Sequence, residues 1–299
     1  MAGDGVTGKV RAAAATVPAP VLVLVAIASV QTGSAFARTA FDVTGAAGIT
    51  LLRLAISGLL LVAVVRPPVR RWTRAQWVAA ASLGLTMGAM NLVFYLAIRE
   101  VPLGVAVTVE FIGPLLVALV QTRRGLDLAW VALAAAGVAL LGLHRGGSVP
   151  LGGLALALLA GMFWAGYILA SARVGSLLPG LDGLAVALLV AALVALPFGA
   201  AGAARAFTDG SALAAGVAVA LLASVIPYGL EMTALRTLPT RVFGVLMSLE
   251  PAAAAVAGLV VLGQHLGPRE LLALVLVSLA SVGVTLGQRG DRPAPQPLE

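Results

Sequence analysis

Ten apolar blocks fill most of this chain, each of roughly 18 to 22 residues, the length that crosses a bilayer core at 1.5 Å of rise per helical residue. They run over residues 19–38, 46–65, 77–98, 103–121, 127–144, 152–173, 182–202, 211–235, 242–263 and 267–287. All are rich in Ala, Leu, Val and Gly and lack the apolar–polar alternation of barrel strands. In lipid every backbone polar group has to bond within the protein, so blocks of this kind are helices. The sequence therefore predicts an all-α integral membrane protein of ten transmembrane helices. With 61% hydrophobic and 10% charged residues, the chain is far from a soluble domain, in which about 25% would be charged. The first block is too long for the apolar region of a signal peptide and nine more follow, so it reads as a retained helix. Residues 1–18 and 288–299 read as tails.

The formal charge of +7 could suggest nucleic acid, but the positions of the basic residues argue for a membrane instead. With the N-terminus inside, Lys9, Arg11, Arg66, Arg70, Arg71, Arg74, Arg123, Arg124, Arg173, Arg236, Arg241, Arg289 and Arg292 fall in cytoplasmic segments. Only Arg38, Arg99, Arg145, Arg205 and Arg269 fall in outer loops. This asymmetry follows the positive-inside rule and places both termini of the multi-pass chain in the cytoplasm. The chain has no cysteine, which excludes disulfides, thiolate metal sites and thiol chemistry.

Sliding the sequence against itself by 137 residues superposes Ala97, Arg99, Pro102 and Pro114 on Ala234, Arg236, Pro239 and Pro251. LAIREVPLGVAVTVEFIGP thus matches MTALRTLPTRVFGVLMSLEP in spacing. Each half holds five helices, an odd number, so the second half is inverted relative to the first, a plan that recurs in secondary transporters with a midplane site. Pro114 cannot donate to the carbonyl of Glu110, nor Pro251 to that of Met247, nor Pro227 to that of Ala223. Freed carbonyls at membrane depth are tolerated where they face protein or a water-filled cavity.

Four ionisable residues lie inside the apolar windows: Arg53, Glu110, Glu231 and Glu250. A charge at mid-bilayer costs about 2.5–3.5 kcal/mol on insertion scales, so each is a functional candidate. Glu110, near mid-depth, is the candidate proton-coupling carboxyl; its alternative is a permanently paired carboxylate. Arg53 is either a structural partner for a glutamate or a charge that meets the solute. Uncharged polar residues recur at helical spacing: Asn91 with Tyr95, Tyr228 with Glu231, Trp164 with Tyr167 and Ser171, and Gln31 with Ser34. Amide, hydroxyl and carboxylate together suit a zwitterionic solute with its own hydroxyl. Interhelical hydrogen bonding is the competing reading, preferred for Ser34 and Ser171, and the Ser278, Ser281 and Thr285 stripe reads as packing.

Gly3 to Val10 comes close to a phosphate-binding loop, but Val10 stands where Ser or Thr must hold magnesium and no strand precedes it. With no ATP site, transport would run on an ion gradient or passively. His144 and His265 lack metal-ligand spacing, and no nucleophile–base set or cofactor motif presents itself, so the sequence predicts neither an enzyme nor a bound cofactor or metal.

The stretches 87–119, 226–258 and ITLLRLA (49–55) resemble the drug/metabolite transporter superfamily with paired EamA-type repeats, and within it the bacterial inner-membrane exporters of threonine and homoserine. The resemblance spans residues 20 to 287. It implies two EamA-type repeats over 19–144 and 152–287, outward transport of L-threonine and L-homoserine in exchange for protons, and a central cavity. Glu110, Asn91, Tyr95, Tyr228, Glu231 and Glu250 lie in the matching stretches. Gln31, Trp164 and Tyr167 complete the expected lining. A drug exporter on the same fold is the alternative cargo, and a homodimer is left open.

Overall fold

The computed structural model describes residues 17–121, 125–142, 150–235 and 237–287. No strand occurs among them. The chain runs α1 (Ala19–Thr39), α2 (Phe41–Val65), α3 (Arg74–Glu100), α4 (Leu103–Glu110), α5 (Ile112–Gln121), α6 (Gly125–Gly142) and α7 (Leu151–Leu177). It continues with α8 (Asp182–Ala206), α9 (Gly210–Ala220), α10 (Ile226–Ala234), α11 (Thr240–Met247), α12 (Glu250–Leu262) and α13 (Pro268–Gly287). Among the described residues eight helical stretches are long and apolar enough to cross a membrane, which makes this a multi-pass membrane protein. The expected windows 103–121 and 127–144 hold shorter apolar helices, Leu103–Val117 and Leu128–Leu141. Most of both tails lies outside the described residues, as do the loop at Gly3–Val10, His144 and the arginines at 123, 124, 145, 236, 289 and 292.

Local sequence chemistry sets the element boundaries. Thr73 and Gln76 form a reciprocal capping box at the start of α3, each side chain bonding the other's backbone N–H. The Gln76 side-chain amide also donates to the Leu177 carbonyl at 2.9 Å, tying the start of α3 to the end of α7. Asp209 caps α9 by accepting from the backbone N–H groups of Ser211 and Ala212 and from the Ser211 hydroxyl. Within α2, Gly45 adopts φ 66 and ψ 165, a conformation open to glycine and strained for other residues. The regular apolar run expected from residue 46 begins just beyond that break.

Small residues bring the helices close. In lipid the tails are as apolar as leucine, so helix association depends on packing contact rather than on the hydrophobic effect. α8 lies between α2 and α3. A β-carbon added to Gly48 of α2 would stand 2.8 Å from the Gly202 backbone, and one added to Gly88 of α3 would stand 2.8 Å from the Ala191 carbonyl oxygen. α1 packs on α10 and α12, α3 on α7, α4 on α12, and α6 on α13. At one end of the bundle Arg38 donates to the carbonyls of Val101 and Arg99 at 3.2 and 3.4 Å. At the same end Gln264 accepts from the first N–H of α4, that of Leu103, at 2.9 Å.

Two apolar stretches are interrupted beside a glutamate. α4 stops at Glu110, and α5 restarts at Ile112 after Phe111. α11 stops at Met247, and α12 restarts at Glu250 after Ser248 and Leu249. Pro114 and Pro251, each lacking an N–H, lie one turn or less beyond these breaks. A third interruption divides α9 from α10: residues Leu221–Val225 form a π-helical turn, in which the Ile226 N–H bonds the Leu221 carbonyl.

Candidate substrate cavity

The three interruptions and the faces of α1, α2, α3, α7 and α13 enclose a cavity of about 560 Å³. That volume is within the roughly 300–1,000 Å³ of small-molecule sites. Its charged lining consists of Glu110 at the end of α4, Glu250 at the start of α12, Glu231 on α10 and Arg53 on α2. Glu110, Glu250 and Arg53 are 7%, 8% and 6% exposed, so all three are withdrawn from bulk water. The break at Phe111 fixes where α4 ends and so places Glu110 at the cavity wall. The Glu110 main-chain carbonyl faces protein instead: a β-carbon added to Gly161 of α7 would stand 2.5 Å from it.

Most of the residues expected from the sequence meet at this cavity. Gln31, Asn91, Trp164, Tyr167, Tyr228, Pro114 and Pro227 all line it. Asn91 spends one amide N–H on the Met87 carbonyl of its own helix, at 2.9 Å. Tyr167 and Tyr228 stand within hydrogen-bonding reach of each other across α7 and α10. Trp164 meets Phe111 edge to face, with ring centroids 5.1 Å apart, and so packs on the break that positions Glu110.

Two expected residues are placed elsewhere. Pro251 is buried and contributes no wall. Tyr95 is fully buried behind Arg53 and accepts a hydrogen bond from its Nη1 at 3.1 Å. Its ring lies 5.6 Å from the guanidinium carbon, and Phe41 and Phe94 flank it. The i, i+4 spacing with Asn91 holds, but a shared helix face is wide enough to carry one residue into the cavity and the other into a helix interface.

Arg53 does not hydrogen-bond a glutamate among the described residues. Its Nε donates to Ser224 Oγ at 3.0 Å and its Nη2 to the Ala223 carbonyl at 2.6 Å. That carbonyl is the one Pro227 leaves without its helical donor. Sequence reasoning assigned Ser34 and Ser171 to interhelical hydrogen bonding and Ser281 and Thr285 to packing, yet all four line the cavity. Phe94, Phe111 and Phe243 line it as well and carried no polar signal by which to be found. Among the described residues no group of three or more His, Asp or Glu could hold a metal ion.

Buried charges that converge on one cavity among apolar, membrane-crossing helices mark a functional site for a polar solute, and comparison with known proteins gives the class. Residues 151–286 match the model of the EamA-like transporter family. The threonine/homoserine exporter RhtA of Escherichia coli K12 is 47% identical over 273 residues, covering 91% of this chain and 92% of that protein. The protein of the same name from Salmonella typhimurium LT2 is 47% identical over 275 residues, covering 91% and 93%. One solved crystal structure, 22% identical, superposes with a TM-score of 0.53 over 89% of this chain and 96% of its own, and shares the fold. The chain belongs to the EamA-like transporter family.

Proposed function

We propose that the protein is a secondary active exporter of small amino acids, L-threonine, L-homoserine and their analogues, working by proton antiport with alternating access. The observation that carries this reading is the cavity itself, which gathers three carboxyls, one guanidinium, two amides and two tyrosine hydroxyls on one surface. A zwitterion bearing a hydroxyl calls for that set. Relatives named as threonine/homoserine exporters, similar over nine-tenths of the chain, support the same cargo.

In this reading Glu110 is the coupling carboxyl, taking up a proton from outside and releasing it inside as the substrate moves the other way. Glu231 and Glu250 receive the substrate ammonium. Tyr228, Tyr167, Asn91 and Gln31 serve its hydroxyl and carboxylate, and Trp164 closes the apolar side. Arg53 offsets the negative charge of the three glutamates. Tyr95 acts through Arg53, and Pro114, Pro227 and Pro251 keep the helix interruptions in place.

The reading includes ten membrane-crossing helices in two inverted repeats, 19–144 and 152–287, with both termini in the cytoplasm. The 137-residue offset supports it. Displaced by that offset, α4 falls on α11; both are eight residues long, and both are preceded by a proline cap, Pro102 or Pro239. The helix pairings support it too. α2 packs on α8 and α6 on α13, each on its own counterpart; α4 packs on α12, joining the two interrupted stretches that the offset pairs; and α3 on α7 mirrors α1 on α10. The distribution of basic residues supports the orientation.

Phe94, Phe111, Trp164 and Phe243 on the cavity wall favour a second cargo, an apolar drug-like compound. Counterflow of labelled threonine in proteoliposomes separates the two. Saturable exchange that unlabelled homoserine competes away, and apolar cations do not, supports the amino-acid reading. Exchange blocked by drugs and indifferent to homoserine refutes it.

A further inference from the structure

The π-helical turn Leu221–Val225 is the most heavily serviced piece of backbone among the described residues. A π turn leaves carbonyls without regular helical partners, and Pro227 removes one more donor. Side chains from two neighbouring helices take these carbonyls up. From α1, the Ser29 hydroxyl donates to the Leu222 carbonyl at 2.6 Å. From α2, Ser57 donates to the Ala220 carbonyl at 3.2 Å, and Arg53 Nη2 donates to the Ala223 carbonyl at 2.6 Å. Arg53 Nε adds Ser224 Oγ at 3.0 Å, and Tyr95 holds Nη1 from behind at 3.1 Å. Gly33 of α1 lets the turn approach, since a β-carbon there would stand 2.9 Å from Ala223. α10 leaves this turn directly and carries Tyr228 and Glu231 to the cavity wall.

The corresponding stretch of the first half, 137 residues earlier, is Gly84–Gly88. It lies inside the uninterrupted helix α3 and is packed against Ala187 and Ala191 of α8. One half of the molecule thus has a glycine-packed straight helix where the other has a turn held by side chains.

We propose that Arg53 is a positioning residue that clamps the π-helical turn, and so fixes the direction in which α10 presents Tyr228 and Glu231, rather than the anchor of the substrate carboxylate. A guanidinium suits this task because its donors form a fixed planar fork, here shared between a carbonyl, a serine and a tyrosine. A lysine at position 53 would keep the charge but concentrate its donors on one nitrogen, so it could not span Ala223, Ser224 and Tyr95 together. The inference rests on the transport reading for its cargo, but its geometric consequence does not.

Two readouts test it. The first compares transport of threonine with that of threonine amide, which lacks the carboxylate, in the parent, Arg53→Lys, Arg53→Gln, Ser224→Ala and Tyr95→Phe. A clamp that is weakened lowers both rates by the same factor, roughly tenfold for loss of one charge-assisted hydrogen bond, and leaves their ratio unchanged. An anchor that is removed lowers threonine alone, so that the ratio collapses in Arg53→Gln. The second uses the absence of native cysteine. Spin labels at Gly229→Cys on α10 and Gly175→Cys on α7, both glycines with open space beside them, report the placement of α10 whatever the cargo. Arg53→Lys and Ser224→Ala are expected to broaden or shift the label distance. A collapsed substrate ratio, or an unchanged distance in both variants, overturns the proposal. If Arg53→Gln fails to fold, Ser224→Ala and Tyr95→Phe still decide, since both leave the arginine in place.

Discussion

Gly161 sits where α7 touches the broken helix that carries Glu110, and replacing it with alanine tests how tightly that junction is built. The added β-carbon would lie 2.5 Å from the Glu110 carbonyl oxygen and 3.2 Å from its carbonyl carbon. An ordinary carbon–oxygen contact is nearly 1 Å longer, so α4 or α7 must shift. Gly113 faces the same point from α5, with the Gly161 carbonyl already where its own β-carbon would be. Overpacking of this kind costs about 1–3 kcal/mol, and the higher helix propensity of alanine returns about 0.5–1 kcal/mol. The net change is a loss of up to about 2.5 kcal/mol. The assay is thermal unfolding in detergent, with transport measured on the same samples. Gly175→Ala is the internal control: nothing lies within 4 Å of that position, so only the propensity gain remains and the variant should be more stable than the parent. Gly161→Ala should unfold several degrees lower and transport more slowly because Glu110 has moved. A Gly161→Ala variant as stable and active as Gly175→Ala would refute the close approach of α7 to the break.

Glu110→Gln should fold normally and still exchange substrate across liposomes, yet lose acceleration by a pH gradient; undiminished acceleration would remove it from the coupling role. Gln264→Leu should destabilise the protein by about 1–3 kcal/mol in unfolding assays, because it leaves the buried Leu103 N–H without a partner. Asp209, at the α9 cap, has its carboxyl held below its ordinary value of 3.8 by hydrogen bonds from the Ser211 hydroxyl and the Ala212 and Ser211 N–H groups. A depressed carboxyl contributes stability that is present above the unfolded value and lost as pH falls through the folded one. The stability difference between the parent and Asp209→Ala should therefore shrink as pH drops below about 4, and a difference independent of pH would exclude the cap.

Much of this architecture is legible in the sequence because membrane helices announce themselves by length and because a charge in lipid is too costly to be incidental. Glu110, Glu231, Glu250 and Arg53 stand out for that reason, and the structure places all four on one cavity. The freed carbonyl at Ala223 is likewise implied by Pro227, although which donor takes it up is not. Orientation around each helix is harder to read. A face packed against another helix and a face turned to lipid are both apolar, so hydrophobic periodicity does not separate them. Tyr95 therefore looks like a partner of Asn91 in the cavity, while Ser281 and Thr285 look like packing although they line it. The close contacts of Gly161, Gly113 and Gly48 are hidden in a chain with 35 glycines, most of which carry no individual signal. The π turn has no compositional mark of its own.

Proton–amino acid antiport is the central claim, and simultaneous flux measurement in proteoliposomes tests it most directly. Labelled threonine is followed together with internal pH after a gradient is imposed and again without one. The account predicts saturable threonine flux opposite in direction to the proton flux, accelerated by the gradient, with substrate addition alone moving protons the other way. Threonine flux that ignores the gradient and moves no protons would contradict it.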